Sequence, residues 1–127
     1  MKLWADDVRP APDGYVWVKS VNEAIRYIKA NEDAIKRRMD RGHQAFLERD
    51  YVTRDYCYSS ANQIAIKLID IDHDAGDYAK DGGDYIRLLN WLEETGRNYP
   101  IRIHSMNPVG VQNMRAIIQR NGWTEVK

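Results

Sequence analysis

Apolar positions along the chain fall into short runs separated by longer stretches of mixed character. Lys2-Leu3-Trp4-Ala5 reads as a first strand that stops at Asp6-Asp7. Arg9-Pro10-Ala11-Pro12-Asp13-Gly14 follows, with two prolines and an Asp-Gly turn signal. Tyr15-Val16-Trp17-Val18 is aromatic and β-branched, and predicts a second strand. Ser20-Val21-Asn22-Glu23 is a capping box, and Val21, Ala24, Ile25 and Ile28 keep helical spacing after it. Ile64-Ala65-Ile66-Lys67-Leu68-Ile69 is the strongest strand signal and runs into Asp70-Ile71-Asp72-His73-Asp74. Tyr85 to Leu92 predicts a helix with Gly96 as its stop. Ile101-Arg102-Ile103 is a strand ending at His104-Ser105. Asn107-Pro108 opens a last helix, with the asparagine as cap and the proline at its first position. Val111, Met114, Ile117 and Ile118 are its buried stripe, Gly122 ends it, and Trp123 to Val126 reads as a short final strand.

Between Asn31 and Gln63 the pattern loosens. Six basic residues (Lys36, Arg37, Arg38, Arg41, Arg49, Arg54) stand against six acidic ones (Glu32, Asp33, Asp40, Glu48, Asp50, Asp55). The stretch is too long for an ordinary connection, so it predicts a structured insertion. Its pattern reads as a helix that continues or restarts, then a loop carrying Tyr51, Tyr56 and Tyr58. Elsewhere strands alternate with helices, which predicts an α/β domain with a parallel sheet covered on both sides. A length of 127 residues fits a single domain.

The charges cancel at 19 basic against 19 acidic, so there is no global pull toward nucleic acid or an anionic membrane. Extended duplex binding is not expected, though a local basic patch remains open. No apolar stretch nears the roughly 20 residues of a membrane span. A lone Cys57 rules out an internal disulfide and fits a reducing compartment, so the expected location is cytoplasmic.

Open parallel sheets bind ligands beyond the carboxyl ends of their strands. Three such ends carry polar chemistry here: Asp6-Asp7, Asp70 through Asp74, and His104-Ser105-Met106-Asn107. Alternation puts Asp70, Asp72 and Asp74 on one side of their strand and His73 on the other. Five carboxylates in one cleft would repel each other, and a hard cation such as Mg²⁺ or Mn²⁺ relieves that. His104 and His73 are candidate proton carriers, and Ser105 and Asn107 are candidate phosphate contacts ahead of a helix N-terminus. His43 and Cys57 have no constellation around them. The Gly76–Gly83 loop lacks a Walker pattern and reads as a flexible cover over the acidic site.

Three segments, taken in order, resemble one known family. They are Trp4-Ala5-Asp6-Asp7-Val8-Arg9-Pro10-Ala11-Pro12, then Asp72-His73-Asp74-Ala75-Gly76-Asp77-Tyr78, then His104-Ser105-Met106-Asn107-Pro108-Val109-Gly110. The chain, apart from residues 31–63, resembles the cyclic-phosphate processing receiver domains. The resemblance implies a flavodoxin-like, three-layer sandwich with a five-stranded, mostly parallel sheet in the order 2-1-3-4-5. It implies that Asp6 and Asp7 hold Mg²⁺ with Asp72, that Asp74 falls near the metal, and that Ser105 contacts the phosphoryl group. His104 and Asn107 belong to the branch's own motif. Spacing alone leaves Asp70, Asp72 and Asp74 open as the acceptor-equivalent, and the family motif favours Asp72. Signalling receivers end their fifth strand in a lysine, usually before proline, and the tail Gly122–Lys127 has no Lys-Pro.

The expected function is therefore a metal-assisted phosphoesterase acting on a cyclic phosphate, of an RNA end or a nucleotide. Asp72, His104 and His73 would be its catalytic groups, Ser105 and Asn107 its phosphate contacts, and Asp6, Asp7, Asp72 and Asp74 its metal ligands. The rival expectation is a signalling or binding module, phosphorylated at Asp72 or holding a nucleotide without turnover. The 31–63 stretch reads first as a solvated helical excursion, with pairing of two copies or recruitment of a protein partner as its alternatives.

Overall fold

Lys2–Ala5 (β1), Tyr15–Val18 (β2) and Ile101–Ile103 (β4) are strands where the apolar runs predict them. The computed structural model describes all 127 residues. The third strand, Leu68–Ile71 (β3), begins four residues later than the Ile64 expected, because Ile64 still belongs to a helix. The carbonyls that would have opened the strand are used otherwise: Asn31 Nδ2 donates to Ile64 O and the Met1 ammonium to Ala65 O. Asp70 therefore lies inside the strand rather than beyond its end.

Four helices complete the chain: Val21–Leu47 (α1), Tyr51–Ile64 (α2), Ile86–Glu94 (α3) and Pro108–Arg120 (α4), with a 3₁₀ turn at Gly76–Lys80. Ser20 caps α1 by accepting from Glu23 N, and Glu23 reaches back to Lys19 N. Asn107 caps α4 through Gly110 N, with Pro108 at the first position. The loop expected around Tyr51, Tyr56 and Tyr58 is helix instead. Arg49 turns the chain with φ of 61° and Asp50 caps α2 by accepting from Thr53 N. The two helices then close on small buried residues, Gly42 and Ala45 against Cys57 and Ala61. A Cβ at Gly42 would press into the Tyr58 ring. No helix is long and apolar enough to cross a membrane.

The sheet is parallel throughout, in the order β2-β1-β3-β4. The expected fifth strand shrinks to a single bridge between Ile101 and Glu125. β4 is three residues long and offers little more, while Arg115 holds the Glu125 carboxylate against α4.

The expected third layer is also absent. Paired positions of in-register parallel strands share a face. One face carries Leu3, Ala5, Val18, Ile69, Ile71 and Ile101, which form one core with α1, α3 and α4. Leu88, Leu89, Leu92 and Met114 seal it with no exposed surface, and truncating one of these leucines costs about 2–5 kcal/mol. The crossovers β2→β3 and β3→β4 move the same way along the sheet, so right-handedness puts their helices on one side. The other face carries Lys2, Trp4, Tyr15, Trp17, Leu68, Asp70 and Arg102, and no helix packs on it. The missing layer traces to residues 6–14, which join two parallel strands without a helix, where a crossover of about a dozen residues or more is usual. Tryptophans tie this short link down: Trp4 Nε1 donates to Arg9 O and Trp17 Nε1 to Asp6 O.

Candidate functional site

Asp6 leaves β1 buried, with each oxygen doubly committed. Oδ1 accepts from Val8 N and Arg9 N at 2.9 and 2.8 Å, which is what turns the chain sharply after the strand. Oδ2 faces His104 Nε2 at 2.9 Å and Arg9 Nε at 3.6 Å. Burial disfavours its charge, but those backbone N–H groups and the histidine outweigh burial and hold the carboxyl below the usual range.

Asp6, Asp7 and Asp72 bring one carboxylate oxygen each within 4.8 Å of the others, and Asp6 would have to yield its Arg9 or His104 contact to hold a cation there. Burial pushes the Asp7 carboxyl up, and the charges of Asp6 and Asp72 add to it. Asp72 Oδ1 accepts from His73 N at 2.8 Å, and its Oδ2 lies 3.9 Å from Arg9 Nη2. Tyr85 packs beneath, donating to Lys19 O at 2.7 Å; burial, with the charges of Asp7, Asp6 and Asp72, drives its phenol far upward. Three hard oxygen donors crowded against one another fit Mg²⁺ or Mn²⁺, since a cation there removes the repulsion.

His104 stands between two acids. Its Nδ1 lies 2.6 Å from Asp70 Oδ1, its Nε2 faces Asp6, and its ring stacks on Trp4 with centroids 3.8 Å apart. Arg102 and Tyr15 approach the other Asp70 oxygen at 3.6 and 3.5 Å. A neutral imidazole donates through one nitrogen, and which of the two contacts the ring donates depends on its tautomer. Both nitrogens are occupied, and the ring acts as a strut between β1 and β3.

His73 is placed differently. Nδ1 lies 2.8 Å from Asp74 Oδ1 and 3.5 Å from Asn107 Nδ2, and Nε2 makes no hydrogen bond within the chain. The ring rests on Gly110, where a Cβ would collide with it. Asp74 turns away from the Asp6–Asp7–Asp72 group and shares a second one with His73 and Asp84. Ser105 accepts from Asn107 N at 3.1 Å, in the loop that carries His73's neighbour.

The five carboxylates expected in one cleft thus separate. Asp6, Asp7 and Asp72 converge, Asp70 is bound through His104, and Asp74 stands with His73. Sequence reasoning gave no role to Arg9, Trp4 or Asp84. Asp84 accepts from Ala75 N at 3.0 Å and steadies the loop after β3. Only the register Trp4↔Asp70 exposes the Trp4–His104–Asp70 assembly, and register is not written in either strand alone. The expected flexible cover is pinned: Asp81 accepts from Ser20 Oγ at 2.6 Å and Asn22 Nδ2 at 3.1 Å, and Gly76 lies against Asp7.

A parallel sheet with acids at the carboxyl ends of its two central strands defines a receiver-like α/β domain. The chain belongs to the cyclic-phosphate processing receiver domain family, whose model matches residues 1–41 and 44–120. The match runs through the α1–α2 hairpin except for two residues at Gly42 and His43. No curated protein and no solved structure matches the chain.

Proposed function

We infer that this domain is a metal-assisted phosphoesterase that opens cyclic phosphates, of RNA ends or of nucleotides. The observation that carries the reading is the convergence of Asp6, Asp7 and Asp72 beside a histidine whose Nε2 is free. Asp6, Asp7 and Asp72 would hold Mg²⁺ or Mn²⁺, which supplies charge for the phosphoryl oxygens and acidifies water. Arg9, half exposed beside Asp72, is the cation positioned to meet a non-bridging phosphate oxygen. The Ser105 hydroxyl and Val109 N, the N–H left open in the first turn of α4, present further donors. His73 takes a proton from water at Nε2 and returns it to the alkoxide released when one ester bond breaks. Asp74 fixes its ring through Nδ1. His104 is a positioning residue that holds Asp6 in place. The signalling alternative would place a phosphoryl group on Asp72 Oδ2, since Oδ1 accepts from His73 N.

The test is incubation with Mg²⁺ or Mn²⁺ and a panel of 2′,3′-cyclic nucleotides, 3′,5′-cyclic nucleotides and a cyclic-phosphate-ended RNA, with products resolved. The expected result is turnover that disappears with a chelator and in Asp72→Asn. Ligand recovered intact throughout would overturn the reading. Labelling of Asp72 by acetyl phosphate would put the signalling role in its place.

A further inference from the structure

The one pocket of the molecule lies far along the helical hairpin, away from the acidic strand ends. It is a cavity of about 340 Å³ between α1 and α2, lined by Arg37, Arg38, Arg41, Tyr56, Cys57 and Ser60. Pockets for small ligands start at about this size.

The charge around it is not balanced, although the stretch is balanced in composition. Its acids, Asp33 excepted, are engaged elsewhere. Glu32 binds Arg97 and Tyr99, Asp40 binds Lys36, Asp55 binds Arg54, and Asp50 caps α2. Glu48 accepts from Gln44; Asp33 alone is unpaired, exposed on α1 one turn before Arg37. None of Arg37, Arg38 and Arg41 forms an ion pair within the chain. Arg38 alone is oriented, its Nε donating to Ser60 Oγ at 2.9 Å and its Nη1 to Ala34 O at 3.2 Å. Arg37 and Arg41 are one turn apart on α1, where like charges destabilise a helix unless an anion offsets them. Tyr56 adds an aromatic ring that is 75% exposed at the cavity rim.

Arginines suit phosphate because their planar N–H forks pair with two oxygens at once. An exposed aromatic beside them suits the flat face of a base. We propose that this pocket is a second ligand site, which binds the phosphate group of a small phosphorylated molecule of mononucleotide size. Arg37 and Arg41 pair the phosphate, Arg38 is held ready by Ser60, and Tyr56 stacks on the attached ring. The site is separate from the acidic strand ends, so its occupant is an additional ligand and not the reacting phosphate.

Isothermal titration of the full chain with inorganic phosphate, adenosine 5′-monophosphate and a single-stranded RNA hexamer tests this. With EDTA present, so that the acidic strand ends hold no metal, the monophosphate should bind once per chain in the wild type and equally in Asp72→Asn. Arg37→Gln/Arg41→Gln should weaken it about tenfold or more, with helical circular dichroism unchanged. Tyr56→Ala should weaken the monophosphate and spare inorganic phosphate. Equal binding by the double arginine variant would overturn the proposal, as would loss of binding in Asp72→Asn. Binding of the hexamer alone would overturn it too, pointing to a surface that tracks an RNA backbone.

Discussion

His104 and His73 are both histidines at strand ends, and their hydrogen bonds give them different work. His104 has a carboxylate on each nitrogen, so removing it strands Asp6 and Asp70, both buried, without their shared hydrogen-bond partner. His104→Ala should destabilise the fold by roughly 2–4 kcal/mol, read by urea denaturation. No change in the midpoint would show that Arg9 and Arg102 suffice for the two acids. His73→Ala should leave the midpoint alone and lower cyclic-phosphate turnover about 10²–10⁴-fold, as loss of a proton carrier does. Turnover at the wild-type rate would remove His73 from the chemistry. Gly110→Ala probes the same ring from below. The new Cβ meets the ring at its root, so the helix-propensity gain of about 1 kcal/mol is offset by the clash, and thermal stability should fall slightly while the displaced ring costs activity. Full activity in that variant would show that the seat of His73 is not critical. The acids and histidines were legible as residue types at strand ends. Their division of labour was not, because it depends on which nitrogen meets which oxygen across strands distant in sequence.

Elements were read where a single segment carries its own signal. The caps Ser20 and Asn107 and the runs at β1, β2 and β4 fall in this class. α2 was missed because its seam uses Gly42, Ala45, Cys57 and Ala61, and small residues leave no hydrophobic stripe. β3 was displaced because Ile64-Ala65-Ile66 is apolar enough for either state. The contact between α3 and α4 supplies a pH prediction at this scale. Glu93 accepts from Arg120 at 2.6 and 2.7 Å and also from Asn121, and these bonds hold its carboxyl down to about 2. Its folded value lies below its ordinary one, so the clasp contributes fully above about pH 4.5 and is lost as pH falls toward about 2. Glu93→Gln should therefore flatten the acid limb of a melting-temperature profile. The clasp sits at the surface, so high salt should shrink the difference. An unaltered acid limb would show that the clasp adds nothing to stability.

At the scale of the molecule there are two parts joined at few points. The core runs from Leu3 to Ile28 and resumes at Ile66, with nothing from the hairpin between. Asn31 to Ile64 closes the base of the hairpin, and Glu32 ties it to Arg97 and Tyr99. Amide exchange should therefore be faster in the outer hairpin than in β1, β3 and α3, by mass spectrometry of peptides. Uniform protection would show one cooperative unit. The alternation of strands and helices disclosed the sheet and its parallel sense. It could not disclose the bare face, since the aromatic residues Trp4, Tyr15 and Trp17 look like core in a one-dimensional pattern. The position of β1 has a consequence for synthesis. It is the first strand made, yet it is an inner strand: Lys2 pairs with Tyr15 on one side and with Leu68 on the other. On a ribosome, the α1–α2 hairpin can fold from local contacts while β1 and β2 wait. Asp6 meets Asp72 only after β3 emerges, and His104 only after β4. The acidic cluster is thus assembled among the last features of this domain, and a product stalled before β3 would carry Asp6 and Asp7 with neither partner.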